Sequence, residues 1–104
     1  MLTAEELTAL EEQHGRIERV AGKNGAWEVV YKAPPRVVYK RFRSLAHDPA
    51  RKSDAQEMLA IACVVHPPAA AFEALLDKFP AIPEASADAL GRLVGAETDD
   101  SVKP

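Results

Sequence analysis

The sequence predicts an α+β fold, mainly α, in which an N-terminal helix and a β-hairpin pack on a bundle of about four short helices. Three observations carry that prediction. Residues 16–32 hold two short extended segments on either side of Gly22-Lys23-Asn24-Gly25, the pattern of a hairpin. From Pro35 to Gly95, apolar residues recur at helical spacing in four runs, each closed by proline, glycine or His-Asp-Pro. A length of 104 residues with 47% apolar content suits one modest core, so a single domain over 1–96 with an acidic, disordered tail at 97–104 is expected.

The first helix, about residues 4–14, opens on a capping box, Thr3 with Glu6, and Leu2 and Leu7 stand at staple positions. Gly15 offers a left-handed stop. Only Leu7 and Leu10 give this helix large apolar residues, so it packs by one narrow stripe. In the first strand, 16–21, Ile17 and Val20 are out of strict alternation, which points to a bulge or a short strand. Asn24-Gly25 tolerates positive φ in the turn. In the second strand, 26–32, Trp27, Val29 and Tyr31 share one face, with Glu28, Val30 and Lys32 on the other. Two strands alone are marginal, so their apolar face must lie against helices.

Pro34 and Pro35 end that strand, and Pro35 suits the first turn of a helix over 35–46. Val38, Phe42 and Leu45 form its buried stripe, with Tyr39 and Ala46 alongside. Arg36, Lys40 and Arg43 take the same spacing on another face, which Arg41 widens. Asp48 is a good cap, and Pro49 a good first residue, for a third helix over 49–64 with Ala55, Met58, Leu59, Ala62 and Cys63 inward. His66-Pro67-Pro68 breaks it. A fourth helix, 68–78, carries Phe72, Leu75, Leu76 and Phe79. The apolar connector Phe79–Pro83 leads to a fifth, 83–94, with Ala89, Leu90, Leu93 and Val94.

Charge is segregated along this chain. Residues 1–15 carry four acids and no base, residues 16–52 a balance of +7, and residues 53–104 a balance of −6. The basic middle can be neutralised within the fold by the acids of neighbouring helices, or it can meet an acidic partner. Nucleic acid would favour aromatics interleaved with the bases, but Phe42 falls on the core stripe and leaves only Tyr39 free to stack.

The other constellations speak against catalysis. Cys63 is the single cysteine, set in the apolar run LAIACVV, where a buried inert thiol is expected. His14, His47 and His66 each fall at a predicted helix end without ligand spacing, so no metal and no cofactor is expected. Ser44, Ser53, Ser86 and Ser101 lack a neighbouring base, Ser53 and Ser86 read as helix starts, and no glycine-rich phosphate loop is present. The expectation is a protein that is not an enzyme. The start MLTAEELTAL has no signal-peptide pattern, and the longest apolar run, near Leu59–Val65, is too short for a bilayer. A soluble, intracellular chain follows as an expectation.

The run WEVVYKAPPRVVYKRFRSLAHDPARKSDAQEML, followed by VVHPP and FEALLDKFPAIPEASADALGRLVG, resembles the small tail assembly chaperones of long-tailed bacteriophages, encoded just before the tape-measure protein. The likeness spans about residues 25–95 and rests on the order of several short patterns: Pro35, Tyr39, Lys40, Arg41 and Phe42, then Pro67, Phe72, Leu75, Phe79, Pro80 and Ile82. The resemblance implies a non-enzymatic protein of the host cytoplasm, absent from the mature virion. It would bind the tape-measure protein, keep it soluble, and help recruit tail-tube protein. Oligomers are expected, and the terminal ETDDSVKP fits a free end near the frameshift junction known in such families. The partner surface expected here is Arg36, Lys40, Arg41 and Arg43 with Phe79 and Ile82 of the apolar connector. The alternative reading is a small nucleic-acid-binding or regulatory and inhibitory protein using the basic face of the helix over 35–46.

Overall fold

The computed structural model describes residues 1–96, so the expectation of a disordered tail at 97–104 lies outside the described residues. The elements are α1 (Ala4–His14), β1 (Ile17–Ala21), β2 (Glu28–Lys32), α2 (Arg36–Ala46), α3 (Lys52–Cys63), β3 (Val64–His66), α4 (Ala69–Lys78), α5 (Ile82–Ala85) and α6 (Ala87–Leu93). Short 3-10 turns stand at Lys23–Gly25 and Pro49–Arg51. The mainly helical α+β class is as the sequence predicts, with one addition. The hairpin gains a third strand, giving an antiparallel sheet of order β1-β2-β3.

That third strand makes β2 central, and Val29, Val30 and Tyr31 are all 0% exposed. Val29 and Tyr31 join Leu59, Cys63, Phe72, Leu76, Ile82, Leu90 and Leu93 in the main core. Val30, next to them on the strand, is outside that cluster and sits opposite His66, which lines a shallow depression with Leu10 and Gln13 of α1. The capping box forms as expected: the Glu6 amide donates to Thr3 Oγ1, and the Thr3 amide donates to Glu6 Oε1. These bonds hold the Glu6 carboxyl below its ordinary pKa. No residue of α1 is buried, in keeping with its narrow stripe.

Glu28 anchors this layer to the sheet. Its Oε1 accepts from the Leu2 amide at 2.7 Å, and its Oε2 pairs with Arg19 from β1. Burial pushes the Glu28 pKa up, but the Arg19 hydrogen bond, the Leu2 amide and the Arg19 charge outweigh it, so the net shift is downward.

Several expectations are corrected. Of the bulge or short strand expected over 16–21, the short strand forms: β1 has five residues and pairs in unbroken register from Ile17 opposite Lys32 to Ala21 opposite Glu28. The register shift lies instead between β2 and β3. The third helix stops at Cys63, and its inward stripe is Ala55, Leu59, Ala60 and Cys63, with Met58 half-buried and Ala62 exposed. His66 is therefore in a strand rather than at a helix end. Asp48 caps the turn before α3 by accepting from the Ala50 amide, as its position suggests. The single fifth helix is two, α5 and α6, broken at Ser86.

The hairpin turn depends on small residues. Asn24 has φ 58 and Gly25 φ 71, the left-handed values the Asn-Gly pair was expected to supply. Gly22 matters for space: a Cβ there would stand 2.7 Å from Trp27 Cδ1 and from Cε2. Gly22→Ala is expected to push the indole off the sheet and cost about 1–3 kcal/mol. Because Trp27 is the only tryptophan, its fluorescence reads the displacement directly. An unshifted emission maximum together with an unshifted denaturation midpoint would contradict it.

Candidate partner-binding groove

Helix α2 has a strongly two-sided sequence, yet none of its residues is buried. It packs along α3, which in turn packs on α5. Val38 and Phe42 touch the core from outside, half-buried, while Val37 is 64% exposed. The stripe expected to be buried, Val38, Phe42 and Leu45, is only half-buried, and Val37, which was not part of it, is exposed. Tyr39 and Phe42 stack with ring centroids 5.8 Å apart.

Between this aromatic pair and the C-terminal helices lies a cavity of about 110 Å³. Tyr39 and Phe42 form one wall, Gln56 and Leu59 of α3 the floor, and Pro83, Leu90, Gly91 and Val94 the facing side. Ala87 and Gly91 are one turn apart on α6, and their small side chains leave the space open. The position of that facing side is fixed by a buried polar link. Ser86 Oγ donates to the Ile82 carbonyl at 2.8 Å, so its lone pair accepts from the Tyr31 hydroxyl, also at 2.8 Å. Ser86 stands directly before α6, as expected of a helix start, but its hydroxyl makes no cap hydrogen bond and is committed instead to the Ile82 carbonyl and the strand. Arg92 Nε reaches Glu18 of β1 at 2.9 Å and ties α6 to the sheet edge.

The rim is basic. Arg36 and Arg43 lie three and four residues from Tyr39, on its side of the helix. Lys40, Arg43, Ser44 and His47 surround a second, open depression on α2 that shares no lining residue with the groove. Arg41, two residues from Tyr39, projects from the far side and is separated from the groove. Among the described residues the ion pairs are Arg19–Glu28 and Arg92–Glu18, so the bases of α2 are not neutralised by acids of neighbouring helices. Of the two readings of the basic middle, neutralisation within the fold and an acidic partner, the first has no ion pair on α2 among the described residues.

The structure brings together Arg36, Lys40 and Arg43 but does not join Phe79 and Ile82 to them. Ile82 is 1% exposed and part of the core, so it cannot meet a partner on the folded surface. Phe79 is half-buried against the same core, with the Lys78 ammonium 5.7 Å from its ring centroid. Of the apolar connector, Pro83 alone reaches the groove. Gln56, Gly91, Val94 and Ala96 were missed, because the groove is assembled from segments far apart in the chain.

Two buried ionisable groups belong to the core rather than the groove. Burial pushes Tyr31 up to about 12 and Cys63 up to about 11. A thiol held protonated in this way is the inert cysteine expected from its apolar surroundings. Among the described residues, no cluster of three or more His, Cys, Asp or Glu could hold a metal ion, and no helix is long and apolar enough to cross a membrane.

No protein-family model matches the chain, and no curated protein does. Among solved structures it is similar to an uncharacterised protein from Bacillus stearothermophilus, at 20% identity and a TM-score of 0.74, covering 93% of this chain and 99% of that one. At that identity the likeness concerns the fold alone.

Proposed function

We propose that this chain is a non-enzymatic tail assembly chaperone of long-tailed phages, acting in the host cytoplasm and absent from the mature virion. In this reading it binds an apolar helical segment of the tape-measure protein, keeps that protein soluble, and helps bring in tail-tube subunits. The observation that carries the reading is the groove between Tyr39–Phe42 and Pro83–Leu90–Val94. A cavity of about 110 Å³ takes one or two apolar side chains, as anchors of a helix laid along α2. The resemblance over residues 25–95 supplies the identity of the client.

Gly91→Leu provides the test. A Cβ at Gly91 meets only Ala96 Cβ, at 3.9 Å, so a larger side chain enters the groove without a backbone clash. Replacing a helical glycine also favours the fold, by about 0.5–1 kcal/mol for alanine. On co-expression with a tape-measure protein, the wild type is expected to keep the client soluble. The Gly91→Leu variant is expected to lose at least about tenfold in binding, the worth of one anchor of about 1.4 kcal/mol, with no fall in its denaturation midpoint. If client solubility is the same with and without the wild-type protein, the proposal fails.

The second reading, nucleic-acid binding, is favoured by the bases of α2 lacking ion-pair partners among the described residues. It requires a salt-dependent DNA or RNA complex that is lost on charge reversal of Arg36, Lys40 and Arg43.

A further inference from the structure

Helix α1 keeps Leu7 and Leu10 half-buried, and its opposite side carries Glu5 and Glu12, with Thr8 and Ala9 between them. These four residues are exposed and line a shallow depression. Helix α2 is built the same way with the opposite sign. Val38, Phe42 and Leu45 are half-buried, and the other side carries exposed Arg36, Lys40 and Arg43. We propose that α1 of one copy of this chain lies antiparallel on α2 of a second copy, with Glu5 against Arg43, Glu12 against Arg36, and Lys40 over Thr8 and Ala9.

Spacing, sign and shape agree. Glu5 and Glu12 are separated by the same number of residues as Arg36 and Arg43, a rise of about 10.5 Å along a helix, so both ends match in register. The antiparallel direction also sets the two helix dipoles favourably. The small side chains of Thr8 and Ala9 leave room for the Lys40 stem, whose methylenes can cover them. Among the described residues the ion pairs are Arg19–Glu28 and Arg92–Glu18, so neither stripe is neutralised within its own copy.

The fold keeps the two stripes of one copy apart. The Leu2 amide ties the start of α1 to Glu28, which alternates along β2 with Val29 and Tyr31 of the core. Val38 and Phe42 of α2 pack on that core, so the two helices stand on opposite faces of the sheet. The contact is therefore head-to-tail, each copy offering its acidic stripe to one neighbour and its basic stripe to another. Two helices meeting over two turns bury less than about 1,200 Å², which makes this a weak, reversible association. It does not depend on the function proposed above.

Sedimentation equilibrium of the full chain tests it. At low salt the average mass is expected to rise with concentration beyond that of a dimer, and to return to the monomer in about 0.5 M salt. Glu5→Arg/Glu12→Arg and Arg36→Glu/Arg43→Glu are each expected to stay monomeric alone, with denaturation midpoints near that of the wild type. Mixed in equal amounts, the two variants are expected to associate again, because each reversed stripe then meets its complement. Misfolded variants would not recover in this way. A wild type that stays monomeric to about 1 mM, a mass that levels off at a dimer, variants that associate as the wild type does, or a mixture that does not recover would each overturn the proposal.

Discussion

Phe72→Ala is expected to lower the unfolding free energy by about 3–5 kcal/mol, the range for removing a buried aromatic from a packed core. Phe72 is 0% exposed on α4, and its ring meets Tyr31 edge to face at a centroid distance of 6.2 Å and an interplanar angle of 86°. It is the contact by which α4 holds the central strand. The loss combines apolar transfer, the cavity left behind, and an aromatic pair worth about 0.5–1.5 kcal/mol beyond its area. A domain of this size has about 5–15 kcal/mol in total, so the variant sits near the limit of folding. Urea or guanidinium denaturation with an unchanged slope would measure it. A loss below about 1 kcal/mol would mean that the neighbours collapse into the space and that this contact is not central.

Such a result would separate the two halves of the molecule. Val29 and Tyr31 of β2 share the buried core with residues of α3, α4, α5 and α6, whereas Val38 and Phe42 of α2 pack against it half-buried. An element held by one face can keep uncovered apolar surface beside a charged rim, which is what a binding surface needs.

Local chemistry was legible in the sequence where a few adjacent residues decide the backbone. Thr3 with Glu6, Asn24-Gly25 and Asp48-Pro49 each act within one turn, and each is found where its residue types place it. The third strand was hidden because Val64-Val65-His66 continues the apolar run of α3, and three residues are too few to show alternation. Its signal was the β-branched pair just before Pro67. Ser86 was legible as a helix start, and it is the residue before α6. Its hydrogen bond to Tyr31, 55 residues away, was not legible, because no local pattern announces a partner at that distance. The groove was half legible: the basic rim of α2 follows from spacing, but which apolar residues face it depends on packing. Ile82 and Leu90 look alike in the sequence and both are buried in the core, but only the fold sets Leu90 at the cavity wall as well.

The buried link between Tyr31 and Ser86 makes a strong prediction at high pH. Burial raises the Tyr31 pKa to about 12 in the folded chain, against about 10 in the unfolded one. A group whose folded pKa is raised contributes stability that is complete below its unfolded pKa and is lost as pH rises through the folded value. Tyr31 ionisation alone is therefore expected to remove about 2 kcal/mol between pH 10 and pH 12. Cys63, raised to about 11 by burial, adds a loss of similar size beginning near pH 9.

Tyr31→Phe separates the contributions. It removes the hydrogen bond to Ser86 but leaves Ser86 Oγ donating to the Ile82 carbonyl, so at pH 7 it should cost only about 1 kcal/mol. The variant has no buried phenol at position 31 to ionise, so its stability falls less steeply in alkali. The wild type is thus the more stable protein at neutral pH and the less stable one at pH 12, with the two curves crossing near pH 11. Denaturant midpoints measured from pH 7 to pH 12 would show the crossing. Parallel curves would mean that the Tyr31 hydroxyl is reached by water, which would remove the buried link that places Ser86 and, through it, the facing wall of the groove.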